Sequence, residues 1–136
     1  MVESADRQGV RPVGGATCAF EKALLARCVH CGLSMRRAVA EREEILCNSQ
    51  IAHINCTTLL AMLRERAKFV LKLAPAGQGI THAASMKLQC GGLRGLEESL
   101  ADVEPDVHSL LLAAAERFGS LVDLPWPGIV RAVMNW

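Results

Sequence analysis

The segment QIAHINCTTLLAMLRERAKFVLKL, residues 50–73, carries the clearest helical pattern in the chain. Its apolar residues recur every three or four positions, which is the spacing of one face of an α-helix. The residues on this face are Ala52, Cys56, Leu59, Leu60, Leu63, Ala67 and Val70. Asn48 or Ser49 can cap the helix, because either side chain can accept a hydrogen bond from a free amide of the first turn. The segment therefore predicts a long amphipathic helix with a cysteine on its buried face.

The segments on either side show the same periodicity. We predict further helices over residues 17–31, 35–46 and 81–101, and another that begins near Asp106. No alternating strand pattern and no internal repeat is evident in the sequence. The predicted fold class is therefore all-α. It is a single-domain antiparallel helical bundle, with four main helices and short extra helices over residues 17–136, after a disordered N-terminal lead over residues 1–16.

Two pairs of residues within these predicted helices lead to more specific expectations. Arg37 and Glu41 have the spacing at which opposite charges interact across one helical turn. Gly91 and Gly92 interrupt the helix over residues 81–101, where each glycine costs about 1 kcal/mol relative to alanine. We expect this glycine pair to mark a kink or a close approach of the backbone to another part of the molecule.

The composition restricts the class of protein. A chain of 136 residues can form one domain whose core does not depend on disulfides. Apolar residues make up 51% of the chain and aromatic residues 4%, so the core is aliphatic, which suits helices better than sheets. The net charge of +1 argues against nucleic-acid binding. Because no phosphate-binding loop, nucleophile elbow or acid pair is present, we do not expect an enzyme.

The sequence also leads to an expectation about the compartment. The N-terminus lacks the apolar segment of a secretory signal, and no stretch approaches the roughly 18 apolar residues that span a membrane. We therefore predict a cytoplasmic protein without a membrane span. In that compartment disulfides are disfavoured, and clustered thiols indicate metal ligands or redox groups.

The chain contains six cysteines: Cys18, Cys28, Cys31, Cys47, Cys56 and Cys90. The close pair Cys28 and Cys31 is not a haem-attachment motif, because Gly32 rather than histidine follows it. It also closes a predicted helix instead of opening one, so it lacks the setting of a thioredoxin motif. One or two of the six can act as small buried apolar residues, but not all of them. We infer a cysteine-ligated metal centre.

The ligand set that the sequence favours is Cys28, Cys31, Cys47 and Cys56, with Cys90 in reserve. Cys28 and Cys31 share one face of a predicted helix. Cys47 and Cys56 converge only if residues 48–49 break the helical pattern between them. Cys18 is the poorest candidate, because it lies about 15 Å from Cys28 along a continuous helix.

The irregular spacing and the aliphatic surroundings favour an iron–sulfur cluster, in its 4Fe–4S form, over a single ion. Zinc bound by four cysteines typically uses two Cys-x-x-Cys pairs, and the chain has one. Zinc and Cu(I) are the alternatives. An iron–sulfur protein of this size would serve electron transfer or redox sensing, whereas a zinc or copper module would have a metal-handling or regulatory role.

The charge distribution suggests how a partner could bind. Residues 1–72 hold 11 Lys and Arg against 7 Asp and Glu, whereas residues 73–136 hold 4 against 7. The basic half includes Arg36, Arg37 and Arg42, close in sequence to the cysteine pair. We expect this half to offer a docking face for an acidic protein or a redox partner.

Overall fold

The computed structural model describes residues 16–75, 77–101 and 106–136. The predicted disordered lead over residues 1–16 lies outside this part of the chain except for Ala16. The strands are β1 (Ala16–Thr17), β2 (Ser34–Val39) and β3 (Arg42–Cys47). The helices are α1 (Glu21–Leu25), α2 (Gln50–Ala67), α3 (His82–Met86), α4 (Gly92–Glu98), α5 (Val107–Phe118) and α6 (Trp126–Asn135), with a π-helical segment, Lys87–Gly91, between α3 and α4.

The prediction of an all-α bundle is wrong, because residues 34–47 form a β-hairpin where a helix was expected. β3 lies in the centre of a three-stranded antiparallel sheet with the order β1-β3-β2. In this sheet Ser34 and Ala16 both pair with Cys47, from opposite sides. The molecule therefore combines an antiparallel sheet with several helices.

Cross-strand contacts explain why this charged segment is a hairpin. The chain reverses at Ala40, which has a φ of 56° and so lies in the left-handed region. Arg37 forms an ion pair with Glu44 on β3, at 2.8 Å, rather than with Glu41 as the helical spacing predicted. At the end of β3 the side chain of Ile45 is buried. The hairpin thus exposes its charged part and buries its apolar end, which a helix over the same residues would not do.

The first predicted helix, over residues 17–31, is also wrong in its extent. α1 is five residues long and ends at Leu25. Arg27 follows in the left-handed region, with a φ of 62°, so the helix cannot continue through it. As a result Cys28 and Cys31 lie in a turn between α1 and β2, and helical spacing does not set the distance between them.

The long helix α2 confirms the amphipathic pattern of the segment that begins at residue 50. Ser49 caps it, since its side-chain oxygen accepts a hydrogen bond from the Ala52 amide at 3.1 Å. Five of the predicted inward residues are buried, and these are Ala52, Cys56, Leu59, Leu63 and Ala67. The helix ends at Ala67 instead of continuing to residue 73, and Val70 is exposed.

The expectation of a close backbone approach at the glycine pair is confirmed. A Cβ atom on Gly91 would lie 2.8 Å from the Cα of Val133, and one on Gly92 would lie 2.8 Å from the Leu63 side chain. One turn later, a Cβ on Gly95 would lie 2.9 Å from the Cα of Ile129. Small residues on the π-helical segment and α4 therefore let α6 pack directly against their backbone.

The core is aliphatic, as the composition predicted. The side chains that fill it come from α1 and the residue before it, α2, the π-helical segment, α4, α5 and α6. The largest of those that are fully buried are Phe20, Leu59, Leu63, Leu88, Leu93, Leu96, Leu110, Ile129 and Val133. Within the described part of the chain, none of the helices has both the length and the apolar character that crossing a membrane requires.

The contact between α4 and α6 leads to a test with a matched control. We expect Gly95→Ala to lower the free energy of unfolding by about 1–3 kcal/mol, because the added methyl group meets backbone that must shift. Gly128→Ala on α6 should instead be neutral or stabilise by up to about 1 kcal/mol, since nothing lies within 4 Å of its added Cβ. Urea denaturation followed by circular dichroism measures both. Equal stabilities for the two variants would contradict this packing.

Candidate metal centre

Four cysteines from four separate segments border one small cavity. Cys18 follows β1, Cys31 lies in the turn before β2, Cys47 ends β3, and Cys56 lies in the second turn of α2. All four have free thiols. The cavity that they share has a volume of about 10 Å³, close to the space that one water-sized sphere needs.

The sheet positions three of these cysteines. The Cys18 amide donates to the Ile45 carbonyl at 2.9 Å, which extends the pairing of β1 with β3. On the other side of β3, Ser34 pairs with Cys47. The Ser34 hydroxyl donates to the Cys31 carbonyl at 2.7 Å, so the Cys31 turn is attached to the start of β2. Strand pairing therefore brings Cys18 and Cys31 to the two sides of Cys47.

Asp106 holds the Cys31 turn against α5. Its carboxylate accepts a hydrogen bond from the Gly32 amide at 2.7 Å and caps α5 by accepting from the Ser109 amide at 3.0 Å. The neighbouring Val107 amide donates to the His30 carbonyl at 2.9 Å. Burial alone would raise the pKa of Asp106, but the hydrogen bonds from Ser109 and Gly32 lower it overall. The charged carboxylate is therefore the form that the turn requires.

The thiols differ in exposure and are held close enough to repel one another when ionised. Cys47 and Cys56 are buried, whereas Cys18 and Cys31 are half-buried. Burial, with repulsion from the neighbouring cysteines, raises the pKa of Cys18 to about 11 and that of Cys56 to about 12. These two thiols are therefore protonated at neutral pH unless a bound cation stabilises the thiolates.

The other residues around the cavity are mostly apolar, and they include Ala19, Leu33, Ala52 and Val107. His53 also borders it, but a ring nitrogen, Nε2, lies 3.0 Å from the Thr17 carbonyl oxygen. That contact ties the His53 ring to β1. The metal-binding groups that border the cavity are therefore mainly thiols, which are the ligands of zinc, Cu(I) and iron–sulfur clusters.

The cysteines chosen from the sequence divide between two places. Cys31, Cys47 and Cys56 lie together at the cavity, where Cys18 accompanies them. Cys28 instead forms a disulfide with Cys90, with the two Cα atoms 6.2 Å apart. The short α1 explains this arrangement. Because the helix ends at Leu25, Cys28 and Cys31 do not share a helix face, and Cys28 contacts Cys90 whereas Cys31 borders the cavity. Cys18 reaches the cavity, contrary to the prediction, because the continuous helix expected over residues 17–31 is not formed.

The size of the cavity bears on what could be bound there. A single ion bound by four thiolates at about 2.3 Å places the sulfurs about 3.8 Å from one another. In the described part of the chain, no group of three or more His, Cys, Asp or Glu residues has the geometry to hold a metal ion. Binding of any metal centre by these four cysteines would therefore require their side chains to move from the positions that they have in this structure.

The arginines that the sequence suggested as a docking face are partly neutralised. Arg36 forms an ion pair with Glu43 at 3.3 Å, and Arg37 forms the pair with Glu44 described above. Arg42 is exposed at the start of β3. Two of the three arginines are therefore already paired with glutamates of β3.

Comparison with known proteins identifies no relative. No protein-family model matches the chain, and no curated protein or solved structure is significantly similar to it.

The Asp106 contact can be tested by two substitutions. We expect Asp106→Ala to lower the free energy of unfolding by about 1–2 kcal/mol, because α5 loses its cap and the Gly32 amide loses its acceptor. Asp106→Asn should lower it by less, since the asparagine amide oxygen can still cap α5 but cannot also accept from the Gly32 amide. The lowered pKa of Asp106 also means that its charge stabilises the fold above the unfolded-state pKa of a carboxyl group, and that this contribution is lost as the pH falls through the folded-state pKa.

Stability curves between pH 2 and 7 for the two variants and the native chain measure this effect. If Asp106→Asn retained the acid dependence of the native chain in full, other carboxylates would be its source.

The disulfide should contribute to stability through the chain that it closes. Cys28 and Cys90 are 62 residues apart, and we expect reduction to lower the free energy of unfolding by about 2–4 kcal/mol. Guanidinium denaturation with and without a reductant measures the change. The control is the Cys28→Ser/Cys90→Ser double variant, whose stability should not respond to the reductant. An equal response of the double variant would place the effect at other cysteines.

Proposed function

We propose that the chain binds an iron–sulfur cluster through Cys18, Cys31, Cys47 and Cys56, and that it serves electron transfer or redox sensing. The observation that supports this most strongly is the convergence of four free thiols, from four separate segments, on one cavity. This set keeps three ligands that the sequence favoured and takes Cys18 in place of Cys28. Thiols are also the most numerous metal-binding groups around the cavity, and they are the ligands of iron–sulfur clusters.

The surroundings of the thiols suit a redox centre. When bound, an iron–sulfur cluster supplies reversible one-electron transfer. The apolar side chains of Leu33, Ala52 and Val107 limit the access of water to the thiols. Cys18 and Cys31 are half-buried, so one side of the centre lies close to the surface, where a redox partner could approach.

The positions of the ligands also support a sensing role. The four cysteines lie directly after β1, in the turn before β2, at the end of β3 and in α2, so one bound group would connect all three strands to the long helix. Metal affinity and folding are coupled wherever the ligands come from separate segments. Loss of the centre would therefore loosen this part of the fold, which is the type of response that a redox sensor requires.

A structural zinc site is the second candidate, and one observation favours it. Cysteines at the ends of short strands and in the first turns of a helix, around a hairpin, are typical of zinc-stabilised small folds. The role would then be structural or regulatory, and the ligands would be the same four cysteines. The metal content distinguishes the two candidates.

The ligand set can be tested by purifying the protein without oxygen and reconstituting it with iron and sulfide. We expect visible absorption near 400 nm, and both iron and labile sulfide in the protein. Single substitutions of Cys18, Cys31, Cys47 or Cys56 by serine should each lower the iron content by more than half. The matched control is Cys28→Ser/Cys90→Ser, which removes two thiols away from the cavity and should retain the cluster.

Two other outcomes would contradict the proposal. One zinc per chain without labile sulfide would overturn the cluster and support the zinc site. Full retention of iron in Cys18→Ser, with its loss in the Cys28→Ser/Cys90→Ser variant, would contradict the proposed ligands.

A further inference from the structure

A second cavity, of about 290 Å³, lies between α2 and the segment that contains α3 and the π-helix. The walls from α2 are Thr57, Leu60, Ala61 and Arg64, and the opposite walls are Ile80, Ser85, Leu88 and Gln89. None of these residues borders the cysteine cavity. The volume and the largely apolar walls are typical of a site for a small organic molecule.

Two buried polar side chains line this cavity. Ser85 is 7% exposed and Gln89 is 8% exposed, and no other polar side chain in the described part of the chain is buried to this degree. The Gln89 Oε1 atom accepts a hydrogen bond from the Ala23 amide at 3.0 Å, which fixes the orientation of the side-chain amide. Within residues 16–75, 77–101 and 106–136, neither the Gln89 Nε2 group nor the Ser85 hydroxyl has a hydrogen-bond partner. A buried polar group without a hydrogen-bond partner destabilises the folded protein. A ligand that forms hydrogen bonds with these groups would remove this destabilisation.

The hydrogen-bonding groups at the cavity favour an acceptor on the ligand. The Gln89 amide nitrogen offers two N–H donors and the Ser85 hydroxyl offers one. Arg64 adds a positive charge, and its guanidinium uses one N–H on the Gln78 carbonyl at 2.9 Å, which leaves others available. No acidic residue borders the cavity. A carboxylate, which accepts hydrogen bonds and carries the opposite charge, matches these groups.

The backbone at this wall is also unusual. Leu88 and Gln89 belong to the π-helical segment Lys87–Gly91. Such segments are rare and often occur at functional sites, because they re-aim side chains that a regular helix would place elsewhere. Here the π-helical segment contributes both an apolar wall, Leu88, and the Gln89 Nε2 group that lacks a partner among the described residues.

We propose that this cavity binds a small carboxylic acid with an apolar chain. Arg64, Ser85 and Gln89 recognise the carboxylate, and Leu60, Ile80 and Leu88 surround the chain. The site is independent of the metal centre, because it shares no residue with it. A short fatty acid has the chemistry that both halves of the cavity require.

The probe is sodium octanoate, added to the full chain and followed by calorimetry and by amide chemical shifts. We expect saturable binding of one octanoate, about tenfold tighter than that of octan-1-ol, since the alcohol lacks the charge that strengthens the hydrogen bonds. Octylamine, which carries the opposite charge on a chain of the same length, should bind more weakly than either. The chemical shifts that move should belong to α2 and to residues 80–89.

Substitutions at the cavity test the assignment of the groups. Arg64→Gln should weaken octanoate about tenfold and leave octan-1-ol unchanged. The control is Arg66→Gln, which removes the same charge two positions away and does not touch the cavity. Ser85→Ala should weaken octanoate about threefold to tenfold. Ala61→Phe, at an exposed position on the rim, should abolish binding of both molecules without changing the fold.

Three results would overturn the proposal. These are the absence of saturable octanoate binding at millimolar concentrations, equal affinities for octanoate and octylamine, and equal losses in Arg64→Gln and Arg66→Gln. None of these results depends on the metal content of the protein, so the failure of one proposal would leave the other untouched.

Discussion

β3 pairs with β1 along one edge and with β2 along the other, and the position of every cysteine at the small cavity depends on this double pairing. Cys47 is the residue at which the two pairings meet, because Ala16 and Ser34 lie opposite it on the neighbouring strands. Cys18 follows β1 directly, Cys31 lies in the turn before β2, and Cys47 is the last residue of β3. α2 begins directly after β3, so Cys56 reaches the same place from the helix. A shift of one residue in the register of either strand pair would place a thiol on the other face of the sheet, away from the cavity.

The features that the sequence predicted correctly are local ones. The buried face of α2 and its cap at Ser49 depend on residues within a few positions of one another. The close approach at Gly91 is indicated by the adjacent glycine pair, although its partner, Val133, is distant in sequence. The hairpin could not be predicted in the same way. Its turn at Ala40 lacks the Asn-Gly type of signal, and its strands contain arginine, glutamate and methionine, which also favour helices. What decides between helix and strand here is the distant pairing of β1 with β3.

The contrast between local and long-range interactions also explains which cysteines of the candidate site could be predicted. Cys31, Cys47 and Cys56 could be selected from the sequence because each lies close to an apolar residue pattern. Cys18 could be placed only with knowledge of the sheet, since its distance from Cys31 follows from strand pairing and not from chain length. The short β1 gives almost no sequence signal, with two residues in the strand. The informative signal in residues 34–47 is a pair of opposite charges repeated at a separation of seven positions, Arg36 with Glu43 and Arg37 with Glu44.

The disulfide also gives the chain an unusual covalent topology. Cys28 and Cys90 close a ring that contains Cys31, Cys47, Cys56 and the whole of α2. A single cut of the backbone anywhere inside this ring leaves one connected molecule. The sheet with its thiols and the helices of the C-terminal half would then stay at a high effective concentration relative to each other. A nick in the loop after α2 would therefore become visible as two fragments only after reduction.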